Sequence, residues 1–389
     1  MLGSFGSSIH EEAELESEVV DHHHQPCSSL VSPPPIHMRQ LLITCADLIS
    51  RSDLSAAHRL ISILSSNSSP YGDSTERLVH QFTKALSLRL TRHVSSAPDQ
   101  SLLQSSYLSL NQITPFLRFS QLTANQAILD AIDGHPSIHI LDLDIMHGFQ
   151  WPPLMQAVSE RYPPPTLRIT GAGDDLDILR RTGDRLSKFA HSLGLRFQFH
   201  PLLHPSDPIS SILILPDEIL AVNCVHYLHR LLGDRDRLCL FLRRLKSMGP
   251  TIVAVAEREA DHNHPSFQQR FVEAVDHYAA VFDSLEATLP PASRERLAVE
   301  QVWFGREIAD IVAAEGEHRR ERHERFRSWD VMMRSSGFSS VALSGFALSQ
   351  AKLLLRLHYP SEGYQLHIVN GSFLLGWQSQ PLFSVSSWR

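Results

Sequence analysis

The sequence predicts an α/β protein, in which a Rossmann-like, mostly parallel sheet carries helices on both faces and follows an N-terminal helical cap. From residue 137 onward, apolar runs of strand length alternate with segments of helical periodicity, which is the pattern of βαβ units. These runs are almost unbroken in hydrophobicity, as expected when both faces of a parallel sheet are covered. Before residue 135 only helical periodicity appears.

The predicted sheet is built from five segments, each followed by a helical pattern or a turn. The candidate strands are IHILDLD, TLRITGAG, LRFQFHPL, EILAVNCV and TIVAVAERE. After Pro265 two longer helices are expected, PSFQQRFVEAVDHYAAVFDSLEATL and SRERLAVEQVWFGREIADIVAAEG. A charged helix and a helix–strand finish then close a core that spans residues 135–389.

Residues 36–134 are predicted to be the helical cap. One of its helices carries apolar residues at steps of three, four and three, and Asp53 is its expected N-cap. The stripe consists of Leu54, Ala57, Ile61 and Leu64. An amphipathic stripe of this kind either forms a surface for a partner helix or packs inside the cap.

Residues 1–35 are predicted to be a disordered tail. The stretch HEEAELESEVVD is acidic, PCSSLVSPPP is rich in proline and serine, and no basic residue appears before Arg39. Such a tail either contacts partners or is a solvated leader.

Composition excludes several functional classes. The net charge of −7 argues against a polycation that coats nucleic acid. No secretory signal pattern and no apolar run long enough for a bilayer is present, and the four cysteines lack CxxC spacing. The 23 histidines form no ligand pattern, and His226 and His229 have no neighbouring carboxylates in sequence, so no metal site is expected.

The turn after the first predicted strand is where a nucleotide cofactor would bind in this class of fold. Glycines are needed there because side chains block the cofactor and the turn requires positive φ. Counting from Asp142, the first glycine position holds Asp144, the second holds Met146, and only the third, Gly148, is glycine. We therefore expect no cofactor at this degenerate pocket. No GxSxG elbow, P-loop or nucleophile–base pair is evident, so no catalytic residues are predicted.

Several motifs, in order, resemble those of the plant GRAS transcriptional regulators. The segment Ile138, His139, Ile140, Leu141 and Asp142 resembles their VHIID box. Other matching stretches are HGFQWPPLMQAV, the second leucine-rich boundary LAVNCVHYLHRLL, the PFYRE-like AEREADHNHPSFQQRF, and the SAW-like RFRSWDVMMRSSGF and LLGWQSQPLFSVSSW. The resemblance covers residues 36–389. In its VHIID-like and PFYRE-like sequences, and in lacking DELLA-type and TVHYNP-type boxes, the chain resembles the Lateral suppressor branch of this family.

The resemblance implies a methyltransferase-like architecture that has lost catalysis. It also implies a nuclear regulator, not an enzyme, that acts through other transcription factors or co-regulators and promotes axillary meristem formation. Direct DNA binding is the first alternative and a small-molecule methyltransferase is the second. Homodimers and heterodimers both remain open.

Two further patterns bear on partners. Leu228, Leu231 and Leu232 have the LxxLL spacing of coactivator boxes, which is also common in buried leucines. Two basic clusters could contact phosphates, although acids alternate with the arginines of the second, which favours intrahelical ion pairs on a solvated face. The clusters are Arg243, Arg244 and Lys246, and Arg319, Arg320 and Arg322, with Glu317, Glu321 and Glu324 interleaved.

Overall fold

The computed structural model describes residues 35–91, 99–204, 212–290 and 292–389. Apart from Pro35, the predicted tail lies outside the described residues. Across the described part of the chain, no helix combines the length and the apolar character needed to cross a bilayer.

Helices precede, separate and follow the strands of the sheet. The α-helices are α1 (Pro35–Ser50), α2 (Leu54–Ser66), α3 (Ser74–Thr91), α4 (Gln100–Ile113), α5 (Pro115–Ala131), α6 (Trp151–Ser159), α7 (Leu176–Ser192), α8 (Arg235–Ser247), α9 (Phe267–Thr288), α10 (Arg294–Ala298), α11 (Gly305–Ala313), α12 (Phe326–Ser335) and α13 (Gly345–His358). A π-helical segment, Val299–Phe304, joins α10 to α11. Asp53 is the N-cap of α2, as predicted, since its side chain accepts a hydrogen bond from the Ala56 N–H.

The strands form one sheet within the described residues. They are β1 (Ser137–Asp142), β2 (Thr166–Gly173), β3 (Phe197–Leu203), β4 (Ile219–Val225), β5 (Ile252–Arg258), β6 (Ser340–Val341), β7 (Tyr364–Val369), β8 (Ser372–Trp377) and β9 (Gln380–Trp388). Their order is β3-β2-β1-β4-β5-β9-β8-β7, with β6 paired to β9. Strands β1–β5 are parallel and β7–β9 are antiparallel. The predicted α/β class is confirmed, whereas the simple helix–strand finish is in fact a three-stranded meander.

The strand order places a crevice at the carboxyl ends of β1 and β4. Strand order reverses between these two neighbours, since β2 lies on one side of β1 and β4 on the other. Ligands in open α/β sheets bind at such a switch point. The turn that the sequence singled out, residues 143–150, lies at this edge.

Two hydrophobic layers cover the two faces of the sheet, because successive side chains of a strand point to opposite faces. Ile138 and Ile140 of β1 belong to the layer that includes α5, α6 and α7. Leu141 belongs to the other layer, where α8 and α12 pack. This double coverage explains why the parallel strands have continuous apolar sequences.

The cap contains helices from two distant parts of the chain. Helices α9 and α11 pack against α3, and α10 and the π-helical segment pack against α4. A buried ion pair joins the two parts, since Arg77 Nε lies 2.8 Å from Glu300 Oε2. The division into tail (1–35), cap (36–134) and core (135–389) stays a prediction, and the structure adds residues 267–313 to the helical assembly.

The predicted charged helix around residue 320 is wrong. Gly316–His318 form a 3-10 turn, and residues 319–325 are not helical before α12 begins. Arg319 is only 6% exposed, and its Nη1 donates to the His262 carbonyl at 2.8 Å. The charged side chains of this segment therefore contact the loop after β5 and do not form ion pairs along a helix.

Candidate functional site

The turn after β1 keeps the backbone of a glycine-rich loop but carries side chains. Met146 has a φ of +46° and Gly148 a φ of +67°. The Met146 side chain packs against the hydrophobic layer that includes α5, α6 and α7. The Met146 main-chain carbonyl accepts a hydrogen bond from Thr182 Oγ1 at 3.2 Å. A Cβ at Gly148 would lie 2.8 Å from Thr182 Cγ2, so this glycine permits close packing of α7.

Asp142, at the end of β1, is bound from within the protein. Its Oδ2 accepts from Trp151 Nε1 at 2.9 Å and its Oδ1 from Asn223 Nδ2 at 3.0 Å. Burial raises the pKa of Asp142 to about 7, although these hydrogen bonds favour the carboxylate. The side chain thereby links β1, β4 and the start of α6.

Two further acids at this edge are also engaged. Asp144 pairs with Arg230 at 2.8 Å. Asp174, which follows β2 where a ribose-binding acid would be expected, lies 2.8 Å from His204 Nδ1, and His204 Nε2 contacts the Leu143 carbonyl at 2.7 Å. Both acids are thus paired with side chains of other loops. This pairing agrees with the expectation that no cofactor binds here, which stays a prediction.

The VHIID-like segment has an internal role. His139 is fully buried, with Nε2 2.9 Å from Thr170 Oγ1 and Nδ1 3.0 Å from Arg168 Nη2. Arg168 in turn pairs with Glu218, just before β4. Burial and the nearby Arg168 cation lower the pKa of His139 to about 4, so the imidazole is neutral at physiological pH.

A buried cluster of acids and histidines lies beside the end of β5. His229 Nδ1 is 2.7 Å from Glu257 Oε2, and its Nε2 is 3.4 Å from Glu321 Oε2. His323 Nε2 approaches the same Glu321 oxygen at 3.3 Å. Burial opposes the charged imidazolium, but the Glu257 and Glu321 carboxylates outweigh it and raise the pKa of His229 to about 9. His229 has no carboxylate close in sequence, but the fold brings Glu257 and Glu321 to its two ring nitrogens.

This cluster also contains three donor groups in reach of one another. One atom from each of His229, Glu321 and His323 lies within 4.8 Å of the others. Ligation would require His229 to give up the proton that its raised pKa retains. The charge balance of the cluster explains its geometry without an ion, and the expectation of no metal stays a prediction.

A cavity of about 60 Å³ opens at the switch point; we call it the strand-end cavity. Asp142, Asp144 and Met146 line it, together with side chains from α4, α5, the end of β4, the end of β5 and the π-helical segment. It therefore lies between the sheet edge and the helical cap, where α/β proteins commonly bind ligands.

The structure brings only part of the predicted cap stripe to the surface. Ala57 and Leu64 are 0% exposed and belong to the core, whereas Leu54 is 49% exposed and Ile61 is partly buried. A partner cannot reach Ala57 or Leu64 in this fold, so for these two residues the interpretation as a partner surface is wrong.

The LxxLL-like segment is also internal. Leu228–Leu231 form a 3-10 turn, and Leu228 and Leu232 are 0% and 4% exposed, with Leu231 partly buried. A coactivator box needs leucines that a partner can contact, so the interpretation as a box is wrong.

The two basic clusters differ. Arg243 and Arg244 are exposed on α8, and Lys246 is partly buried with its Nζ 5.4 Å from the Phe338 ring. In the second cluster Arg319 and Arg322 are buried and only Arg320 is exposed. The interpretation of the second cluster as a continuous phosphate-binding track is therefore wrong, because the guanidinium groups of Arg319 and Arg322 donate to main-chain carbonyls.

An exposed apolar stripe on α13 was missed by sequence reasoning. Phe346, Leu353 and Leu357 are 61%, 45% and 61% exposed, while the opposite face, with Ala347 and Leu354, is buried. Spacings of seven and four residues place the three large side chains on one line of the helix. That spacing was readable in the sequence, but periodicity does not say which apolar face is covered.

The stripe borders a groove formed by neighbouring helices. Phe346 and Gln350 line one side, and Leu122, Leu129 and Leu154 belong to the other walls. The groove and the stripe form one surface, which we call the α13 surface.

Fold and site together define a capped, Rossmann-like α/β protein whose strand-end turn carries side chains where two glycines would be expected. The model of the GRAS domain family matches residues 38–389, and the chain belongs to this family. Scarecrow-like protein 18 of Arabidopsis thaliana is 52% identical, over 90% of this chain and 91% of the relative. Protein MONOCULM 1 of Oryza sativa subsp. japonica is 46% identical, over 90% and 88%.

A solved structure agrees with the fold. The crystal structure of SCL7 in Oryza sativa matches with a TM-score of 0.80 at 35% identity, over 92% of this chain and 100% of that chain. The predicted family is confirmed, and the chain lies close to the Lateral suppressor branch. GRAS proteins are regulators of plant development.

Proposed function

We propose that this protein is a nuclear transcription regulator that acts through contacts with other transcription factors and promotes axillary meristem formation. Family membership and the similarity to MONOCULM 1 support the developmental role. The observation that carries the contact mechanism is the α13 surface, where three large apolar side chains remain exposed on one helical line.

Physical chemistry favours an apolar helix or loop as the bound element. Exposed apolar residues at helical spacing beside a groove are the usual anchors of helix-in-groove recognition. Because these side chains are already about half buried, covering the rest contributes roughly half of the 1.5–3 kcal/mol that full burial of each would give. Lys352 and Arg356, both exposed on the same helix, add positive charge near the rim, which suits a partner segment with flanking acids.

The test replaces the exposed apolar residues of the stripe by serine and compares this variant with one in which exposed apolar residues elsewhere are replaced by serine. Phe346→Ser, Leu353→Ser and Leu357→Ser are combined in the full-length protein, and the control combines Leu240→Ser and Val331→Ser, which are 52% and 61% exposed on α8 and α12. Transcription factors found by proximity labelling of the wild type are then tested individually by co-precipitation.

The stripe variant should melt like the wild type and enter the nucleus, yet lose at least tenfold in partner recovery and fail to restore branching in a line that lacks the gene. The control should behave as the wild type. If the stripe variant keeps its partners and restores branching, the α13 surface is not the recognition surface.

Direct DNA binding remains the alternative, supported by the exposed Arg243 and Arg244. A phosphate contact makes affinity fall with salt, by a slope of roughly one per charge neutralised. Binding of duplex DNA by the purified protein is measured between 50 and 200 mM salt, with Arg243→Gln and Arg244→Gln as the variant. No measurable affinity, or a slope that this variant leaves unchanged, would exclude this mode.

We also propose that the protein is not an enzyme. Met146 occupies the turn, and the acids Asp142, Asp144 and Asp174 are engaged with the protein's own groups. Calorimetry with S-adenosylmethionine tests the methyltransferase alternative, since micromolar binding together with turnover would overturn this proposal.

A further inference from the structure

Four residues that line the strand-end cavity each carry a buried polar atom without a hydrogen-bond partner among the described residues. They are Arg258 Nη1, Arg306 Nε, Trp303 Nε1 and His226 Nε2. Buried polar groups are almost always paired, and each exception calls for an explanation. These four exceptions come from the end of β5, the residue after β4, and the helices of the cap, and they indicate a shared partner that the described residues do not supply.

Three of the four unpaired atoms require an acceptor, whereas His226 Nε2 donates or accepts according to the tautomer. The arginine and tryptophan nitrogens can only donate. The acids that line the cavity are already engaged. Glu307 accepts from Arg258 Nη2 at 2.8 and 2.7 Å and from the Tyr278 hydroxyl at 2.9 Å. Asp144 pairs with Arg230, and Glu321 pairs with His229 and His323 and lies 3.8 Å from Arg306 Nη2, which leaves Arg306 Nε unpaired. The described residues therefore leave these donors without an acceptor, which a bound molecule can supply.

The donors are held in place before any ligand arrives. Arg258 is 6% exposed, and its guanidinium carbon lies 5.0 Å from the Phe383 ring centre and 5.7 Å from that of Phe304. Arg306 lies 5.0 Å from the Trp303 ring centre. Fixed donors cost little conformational entropy on binding, which favours affinity for a small ligand.

The backbone next to the cavity is strained on both sides of the switch point. Met146 and His226 line the cavity, and their φ values of +46° and +55° lie in the left-handed region that favours glycine. Strain of this kind persists where surrounding structure holds it, and it clusters at ligand sites.

The rest of the lining combines polar and charged side chains, whose acids are paired within the protein, with an apolar part. Leu110, Phe116 and Leu117 provide aliphatic and aromatic surface, and Tyr107 and Phe149 lie stacked beside them, with ring centres 6.3 Å apart. The cavity volume of about 60 Å³ suits a compact molecule. A polar head that only accepts, joined to a short apolar body, matches this lining.

We propose that the strand-end cavity binds a small organic carboxylate. The carboxylate oxygens accept from Arg258 Nη1, Arg306 Nε and Trp303 Nε1, because guanidinium groups bind the planar carboxylate well. The short apolar body lies against Phe116 and Leu117. Since the donors come from both the sheet and the cap, the ligand stabilises the attachment of the cap to the sheet.

The probe is isobutyrate, with its uncharged analogue isobutyramide as the ligand control. Binding to the purified full-length protein is measured by saturation-transfer NMR. The variants are Arg306→Gln, which removes the Nε donor geometry and the charge, and Trp303→Phe, which removes only the indole N–H. Arg320→Gln, an exposed arginine outside the cavity, is the matched control. Thermal melts verify that each variant folds.

Isobutyrate should bind with a Kd of about 1 mM, as expected for a ligand of six heavy atoms. Isobutyramide and Arg306→Gln should each weaken binding at least fivefold, Trp303→Phe about threefold, and Arg320→Gln should have no effect. The proposal is overturned if isobutyrate does not bind at 20 mM, in which case water fills the cavity, or if amide and carboxylate bind equally. It also fails if both folded cavity variants bind like the wild type. Because these measurements use purified protein, they stand or fall independently of the proposed transcriptional role.

Discussion

The Oε2 atom of Glu257 lies 2.7 Å from Nδ1 of His229, and both side chains are almost completely buried. Glu257 is in β5, and His229 is in the 3-10 turn after β4. Their pairing therefore holds a turn against the neighbouring strand at the edge of the sheet where the strand-end cavity opens. Glu321 reaches the other ring nitrogen, so the imidazolium lies between two carboxylates.

This pairing predicts a loss of stability in alkali. The folded-state pKa of His229, about 9, lies above its ordinary value of about 6.5, so its contribution is complete below pH 6.5 and disappears as pH rises through 9. We expect the free energy of unfolding, measured by urea titration, to fall by about 1.5–2 kcal/mol between pH 7 and pH 8.5, an interval that ends before the buried thiols of Cys45 and Cys224 contribute much. His229→Gln should be less stable at pH 7 but much less sensitive to pH in this interval. The exposed His318→Gln is the control, and an equal pH slope in His229→Gln would contradict the assignment.

Gly148 should not tolerate a side chain. Gly148→Ala combines a φ of +67° with a Cβ placed 2.8 Å from Thr182 Cγ2, so we expect a loss of about 2–4 kcal/mol in urea unfolding. Gly194 has a φ of +64° with nothing within 4 Å of the added Cβ, and Gly194→Ala should lose only about 1 kcal/mol. Equal losses would mean that contact with α7 does not constrain the turn.

The ion pair between Arg77 and Glu300 should contribute strongly to the free energy of unfolding. Arg77→Gln leaves the buried Glu300 with only the longer 4.0 Å pair to Arg296. Because removal of one partner of a buried pair costs about 3–5 kcal/mol, we expect a loss near the lower end of this range. Arg51, whose side chain is 74% exposed beside Asp47, is the matched control, and Arg51→Gln should change stability by less than about 0.5 kcal/mol. Both are measured by thermal and urea unfolding, and a small effect at Arg77 would show that the cap halves are held by apolar contacts alone.

The last strand should be indispensable. Strand β9 pairs with both β5 and β8, and Trp388 is 0% exposed between the sheet and α12. Deletion of the last twelve residues should expose the β5 edge and cause aggregation, as followed by gel filtration. The milder Trp388→Ala should lose about 3–5 kcal/mol, and Ile368→Ala, at a residue 58% exposed on β7, about 0.5 kcal/mol or less. A soluble truncation that unfolds cooperatively would refute this prediction.

The sequence alone predicted the elements whose signals are local. The five parallel strands were recognisable because both faces of each are covered, so their apolar runs are unbroken. Asp53 was recognisable as an N-cap because its side chain serves its own helix. The degenerate turn was recognisable because the need for glycine is a property of the backbone at single positions.

The errors share one cause, which is that a stripe of apolar residues does not show what covers it. Ala57 and Leu64 are buried by other cap helices, and Leu228 is buried beneath the sheet edge, whereas Phe346 is left exposed. All four lie in helices or turns of similar local pattern. Their different exposure depends on elements distant in sequence.

What the sequence by itself determined is the order of the five parallel strands and the helices between them, the family, and the loss of the glycine pattern at the end of β1. Only the tertiary structure decided that Arg319 and Arg322 are interior groups, that residues 267–313 complete the cap, and that Arg258, Arg306 and Trp303 present unpaired donors to one cavity. The physical reason is that backbone conformation follows from neighbours along the chain. Burial, ion pairing and the sharing of a cavity depend instead on residues tens to hundreds of positions apart.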